Sequence, residues 1–354
     1  MDLILSLYYR LIGREHKIPS YLSGVSRAID MLSIPKSRKI IWGGLLYFIP
    51  VLIAVIVLFW IKKDLITHGA LEIGALLLAV TWGWMGPSQI WFYERYTLPR
   101  FHKNCRRLIP HGLQYQHLKS VVFSPVSTLP YAKTFEWVWR AIVMLSFLGV
   151  SENFLNGLGI YGIFDWLWWA ILVGVWRFSY YTSLGFCLAY KTLYLTKIVA
   201  TTSILPRFYH RDQMLGFSFV GEFSRQTSVL FFSGWAFAPL LFALGYHDKY
   251  HFPFFLLICY FIFTVLTFFV PIYVIREKIK NFKDFHSREF CLHANNLAEQ
   301  NQINFDIDLF TEFDFYRKRI IDLQTIQEWP VKLNTFVKFV VVMVFIPLLI
   351  ATTS

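Results

Sequence analysis

Seven long apolar runs divide this chain, at 40–61, 70–92, 135–154, 166–189, 227–245, 252–275 and 336–351, and its basic residues fall almost entirely in alternate gaps between them. Most runs reach the roughly 20 residues that an α-helix needs to cross about 30 Å of hydrocarbon. Inside a bilayer every backbone N–H and C=O must be satisfied by the protein, which a helix does within one segment. The expected fold is therefore all-α: a polytopic integral membrane helical bundle of about seven transmembrane helices. The last run is short and contains Lys338 and Pro347, which leaves a tilted or re-entrant segment open there.

Orientation follows from the cations. The segment before the first run carries Arg10, Arg14, Lys17, Arg27, Lys36, Arg38 and Lys39, and the gap after the second carries Arg95, Arg100, Lys103, Arg106, Arg107, Lys119 and Lys133. The gap with Arg207, Arg211 and Arg225 and the long one from Arg276 to Lys332 are basic too, whereas the intervening gaps hold Lys62, Lys63 and Lys249. The positive-inside rule then places the N-terminus in the cytoplasm and the C-terminus outside. The net charge of +12 needs no nucleic acid, because a basic inner face meets the anionic lipids of the inner leaflet. Trp91, Trp137 and Trp166 stand near run ends, where aromatic rings favour the interface. Leu3, Ile4, Leu7, Tyr8 and Leu11 recur at helical spacing, as in a helix lying in that interface, and no secretory leader is visible.

Four regions result: 1–39, N-terminal interfacial or cytoplasmic helices; 40–275, a six-span bundle with basic loops; 276–333, a cytoplasmic helical hairpin; and 334–354, a C-terminal transmembrane helix. In the hairpin the first arm continues the sixth span to Gln300, with Ile275, Ile279, Phe282 and His286 on one face. Leu309, Phe313, Tyr316, Ile320, Leu323 and Gln327 form the stripe of the second arm, which Asp308 caps and Pro330 stops. Pairing of the arms with each other is the simpler expectation. Phe313, Ile320 and Leu323 are also the candidates for recruiting a cytoplasmic protein partner. The gap 94–134, rich in proline, reads as short helices on the membrane face.

Charges inside runs are the strongest site candidates, since a charge at mid-bilayer costs roughly 2.5–3.5 kcal/mol even on insertion scales. Arg177 lies eleven residues into its run, about 16 Å at helical rise and so near the midplane. No acid stands at helical spacing from it. Arg140 has Glu136 one turn away. With Tyr180 and Ser183, in a polar stretch from Ser179 to Ser183, these arginines are candidate pore or anion contacts beside a water-accessible cavity. An interhelical hydrogen-bond clamp is the plainer reading of Arg177.

The turn Tyr209-His210-Arg211-Asp212-Gln213-Met214-Leu215-Gly216-Phe217 is the second candidate, with His210, Asp212 and Gly216 singled out. It resembles a His-Pro-Asp-x-x-Gly-Gly-Leu segment of uncharacterised prokaryotic multispan membrane proteins, with Arg211 in place of Pro and Leu215 in place of the first Gly. That resemblance implies a prokaryotic inner (plasma) membrane location and no particular activity.

No metal site and no cofactor is expected: His102, Cys105, His111 and His117, or His286, Cys291 and His293, match no zinc spacing and sit among cations. Cys187 and Cys259 in runs and Cys105 and Cys291 in cytoplasmic gaps form no disulfide framework. Phosphate-binding glycine loops, His-Glu-x-x-His and Gly-x-Ser-x-Gly are all missing, so the chain reads as a non-enzyme. Two function classes remain. One is a conduit, whether channel, pore or transporter subunit, built as a homo-oligomer and preferring anions. The other is a membrane anchor or signal-transducing subunit that recruits a partner through the hairpin.

Overall fold

The computed structural model describes residues 19–31, 35, 38–39, 86–109, 112–157, 166–202, 214–232, 251–303 and 307–331. Within these, side chains at 146–147, 149–157, 166–167, 170–171, 173–175, 177–178, 229–232, 251–260 and 301–303 are not described. The described residues are all-α, with no strand. The helices are α1 (Gly24–Met31), α2 (Leu98–Cys105), α3 (Leu113–Val122), α4 (Ala132–Gly157), α5 (Trp166–Thr201), α6 (Ser218–Phe232), α7 (His251–Ile303) and α8 (Ile307–Thr325).

Helices outrun the apolar stretches that announced them. α5 continues twelve residues past 189, and α7 carries on from the sixth run into the first arm of the hairpin as one rod of 53 residues. Among the described residues no helix is long and apolar enough to cross a membrane. In α7 the described side chains of the sixth run cover 261–275, about 22 Å at helical rise. The runs 40–61 and 336–351, and the N-terminal stretch with Leu3 to Leu11, lie outside the described residues.

Among the described residues the larger of two buried clusters joins most of the helices. Val25 and Ile29 from α1, Trp91, Leu98 and Phe101, Leu118 and Val122 from α3, Leu188 and Leu195 from α5, Val220 and Phe223 from α6, and Ile275 and Ile279 from α7 form one buried cluster. The stretch 94–134 contains short helices, α2 and α3, and contributes Leu98, Phe101, Cys105, Leu118 and Val122 to this cluster. Trp91, expected at an interface, is fully buried, and its indole N–H donates to Asp30 Oδ1 at 3.3 Å. Burying an indole with its one donor satisfied is the favourable outcome for this side chain.

Between residues 86 and 105 the helix runs on through a π-helical turn, Tyr93–Thr97, and its Leu98 N–H reaches back five residues to the Tyr93 carbonyl. Pro99 gives the reason. It has no N–H for the Arg95 carbonyl, and its ring would press on that carbonyl in a regular α-helix; widening the turn relieves both. The extra residue also turns consecutive side chains, Tyr93 and Glu94, into the interior.

The hairpin pairs with itself. α8 lies against α7, with the Tyr316 ring 5.3 Å from His293 and 6.0 Å from Phe290, and Leu323 is fully buried. Phe313 and Ile320 are half-buried on the same face, and Gln327 is exposed beyond it. α8 begins at Ile307, which puts Asp308 in its first turn rather than at the cap, and ends at Thr325, five residues before Pro330. At its base Arg276 and Lys283 stand 3.7 and 3.6 Å from Glu328, and the Arg276 guanidinium lies over Trp329. The chain then passes so close to α6 that a Cβ on Gly221 would stand 2.1 Å from the Pro330 carbonyl oxygen.

Candidate functional site

Small hydroxyl side chains are buried among the apolar residues of the bundle. Ser179, Thr182, Ser183, Thr192, Thr196 and Thr202 on α5, Ser224, Thr227 and Ser228 on α6, and Thr264 and Thr267 on α7 are all buried. Most hydroxyls return to a carbonyl of their own helix, as Thr192 does to Leu188 (3.1 Å), Thr227 to Phe223 (3.0 Å) and Thr267 to Phe263 (2.9 Å). They also meet across helices. Thr192 and Thr227 are 3.2 Å apart, Tyr93 O–H bonds to Thr192, and Ser228 lies 3.5 Å from Thr267.

Two ionisable groups are buried at the core end of this seam. Lys191, with no exposure, donates to the carbonyls of Val122 (3.0 Å) and Ser124 (2.8 Å), closing the C-terminus of α3. Burial pushes its ammonium down to about 8, with the field of Glu94 opposing. Glu94, also buried, accepts from the Ser23 N–H (3.0 Å) and the Ser23 hydroxyl (2.7 Å), both on Oε2, at the start of α1. Its Oε1 has no hydrogen-bond partner. Burial raises the carboxyl above its ordinary range, against the hydroxyls of Ser26 and Ser23 and the charge of Lys191, which pull it down. A second lysine cap, Lys278, donates to the carbonyls of Val199, Ala200 and Thr202 at the end of α5, and burial lowers it to about 8.

The sequence candidates divide around this centre. Arg140 is held by Glu136 at 3.5 Å, and its guanidinium lies 4.6, 4.8 and 5.5 Å from the ring centres of Tyr180, Trp176 and Trp137. The Tyr180 hydroxyl reaches α1, 3.7 Å from where a Cβ on Gly24 would stand. Ser183 donates to the Tyr180 carbonyl at 2.7 Å, Ser179 to Trp176, and Thr182 accepts from the Trp139 indole at 2.8 Å. Among the described residues this polar stretch meets α4 through Trp139 and α1 through Tyr180. A depression of about 280 Å³ lies toward the C-terminal end of α5, lined by Gln114, His117, Tyr194, Lys197 and Thr201 among others. The side chain of Arg177, on α5, and residues His210 and Asp212 lie outside the described residues.

Gly216 does sit in a turn, with φ of 88°, following Leu215 at 55°, and the Phe217 N–H bonds back to Met214 at 2.9 Å. Leu215 occupies the position where the resembled segment has its first glycine. Its left-handed backbone is one that glycine adopts freely, and the strain is offset by full burial of the leucine. His102 pairs with the Tyr115 hydroxyl at 2.9 Å, and Cys105 is a buried free thiol pushed well up by burial. No family model, curated protein or solved structure matches this chain.

Glu94 and Lys191 were not singled out from sequence. Each lies within two residues of the end of an apolar run, where a charge reads as a loop residue. The available signal was Pro99, which forbids a regular helix four residues after Arg95.

Proposed function

We propose that the chain is a polytopic membrane protein that works as a conduit for small polar or ionic solutes. The observation that carries this is an exposed apolar face on α4 and α7 around buried interhelical hydroxyls. On α4, Trp137, Val138 and Leu145 are 61, 51 and 68% exposed, and on α7 Phe261, Ile262, Leu266, Val270 and Tyr273 form an exposed apolar face. The hydroxyls of α5, α6 and α7 are meanwhile turned inward. Water would favour the reverse, and a hydrocarbon surround favours this one, where polar side chains act as contacts between helices. Past Arg276 the exposed face of α7 becomes charged with Glu277, Lys280 and Asp284, in keeping with a membrane boundary there.

The seam around Thr192, Thr227 and Thr267 is the natural path, with Glu94 and Lys191 at its inner end. An anion preference rests on Arg177 and on Arg140, which pairs with Glu136 and lies over three rings but keeps a buried Nε with no hydrogen-bond partner. The depression beside Lys197 and His117 suits an anionic lipid headgroup. A second reading is favoured by the hairpin, which leaves Phe285, Leu292 and Phe310 exposed beyond the apolar runs: an anchor that recruits a partner there.

Chloride, potassium and proton flux in vesicles containing the purified chain separates the two. The conduit reading expects flux that Thr192→Val and Thr267→Val reduce several-fold with helix content unchanged. An absence of flux under voltage, pH and osmotic gradients, with a co-purifying protein lost in Phe285→Ser/Leu292→Ser, would replace it by the anchor.

A further inference from the structure

Glu94 is a carboxyl group with one oxygen doubly bonded to donors and the other bonded to nothing, and it is 1% exposed. As an anion it would hold a full charge with Oε1 accepting no hydrogen bond, although the Ser26 hydroxyl lies near enough to favour the charge in part. With a proton on Oε1 the charge is gone, and Oε2 remains the acceptor that the Ser23 N–H and hydroxyl already use. The neutral acid is the form this pocket fits.

The surrounding charges leave that outcome intact. From the N-terminal segment and α1, Asp30 is bound to Lys39 and Arg95, each 3.8 Å away, Arg27 donates to the Leu22 carbonyl, and Tyr21 stands near Arg95. On Glu94's own helix, Tyr93 is bonded to Thr192 and Arg95 turns to Asp30. From α5 come Tyr180, beneath the Arg140 guanidinium, and Lys191, whose ammonium serves the Val122 and Ser124 carbonyls. On α6, Glu222 and Arg225 pair with each other at 2.7 Å. Lys191 is thus the cation that favours the ionised form, and burial outweighs it.

We propose that Glu94 is a proton-binding site, loaded while α1 is seated on it and emptied into solvent when α1 lifts away. The ligand is a proton taken up from water by a lone pair of Oε1, and its release leaves a carboxylate that must be hydrated. Because both bonds to Ser23 lie at the entry to α1, hydration of Glu94 and unseating of α1 are the same event. The inference goes beyond the conduit reading and stands on the pocket alone.

The sign follows from linkage. A carboxyl raised in the seated state holds its proton where the unseated one has lost it, so seating is fullest at low pH and weakens as pH rises through the raised value. The full-length protein in lipid nanodiscs is followed by two measurements. Infrared spectra over a pH series should contain a carboxylic-acid C=O band that persists above the pH at which ordinary carboxyls lose theirs and that Glu94→Gln removes. Amide exchange over 21–31, corrected for intrinsic rates, should speed up by up to about tenfold per pH unit between the ordinary carboxyl value and the raised one, level off above it, and stay level throughout in Glu94→Gln. Ser23→Ala, which removes a donor from Oε2, should keep the band and move the midpoint up, and it serves equally if Glu94→Gln does not fold. An infrared spectrum without that band, or exchange with the same pH dependence in Glu94→Gln, would overturn the proposal.

Discussion

Replacing Lys191 by Met tests whether the ammonium at the end of the polar seam is held against its own preference. The side chain has no exposure, and its ordinary value of 10.5 falls to about 8 in the fold. At about 1.4 kcal/mol per pH unit, that difference withholds roughly 3 kcal/mol of stability from the fold at neutral pH. Between pH 8 and 10.5 the unfolded chain binds this proton and the folded chain does not, so stability should rise with pH across the window. Lys191→Met forfeits that rise. It also leaves the Val122 and Ser124 carbonyls without their donor, at about 1–3 kcal/mol each, which the relief of desolvation partly offsets at pH 7. The deficit of the variant against wild type should therefore be small at pH 7 and about 3 kcal/mol larger at pH 10.5, measured by denaturant unfolding in detergent with tryptophan fluorescence. Lys278, lowered over the same range but more exposed, contributes equally to both proteins and cancels in the difference. Parallel stability curves for the two proteins would refute the argument.

Gly221→Ala places a methyl 2.1 Å from the Pro330 oxygen and 2.6 Å from a Val331 methyl, so the chain after α8 must leave α6; a loss at or above the top of the roughly 1–3 kcal/mol overpacking range should appear in thermal unfolding, with faster proteolysis near 326–331. Gly216→Ala, at φ of 88°, should cost about 1–2 kcal/mol by the same unfolding measurement. Leu323→Ala empties a buried site in the hairpin and should cost about 2–5 kcal/mol if the hairpin unfolds with the bundle, whereas amide exchange confined to α8 would show it to be a separate unit.

Periodicity made the hairpin legible. Leu309, Phe313, Tyr316, Ile320 and Leu323 recur at one helical face, and that face meets α7. The Glu136 and Arg140 pair was equally readable, because it needs only the helical step of four. What the sequence hid depends on contacts between distant segments. Trp91 looked interfacial because its neighbours in sequence are apolar, and it is buried because Asp30, 61 residues earlier, accepts its indole N–H. That Ser179, Thr182 and Ser183 bond to local carbonyls, and Thr182 also to Trp139, was not legible in the sequence. Glu94 became interior through one extra residue in a helical turn, an effect that hydropathy averages over.

The most direct measurement of the membrane account is thiol labelling in intact cells with a membrane-impermeant maleimide. Cys291 is exposed on the first arm of the hairpin, while Cys105 and Cys187 are buried, so in a Cys259→Ser background the native chain carries one accessible thiol among the described residues. The account predicts that Cys291 labels after the cells are permeabilised and not before, and that cysteines introduced at Gly159 and Lys249 label from outside. Labelling of Cys291 in sealed cells, or of Gly159→Cys and Lys249→Cys in lysed cells alone, would contradict it.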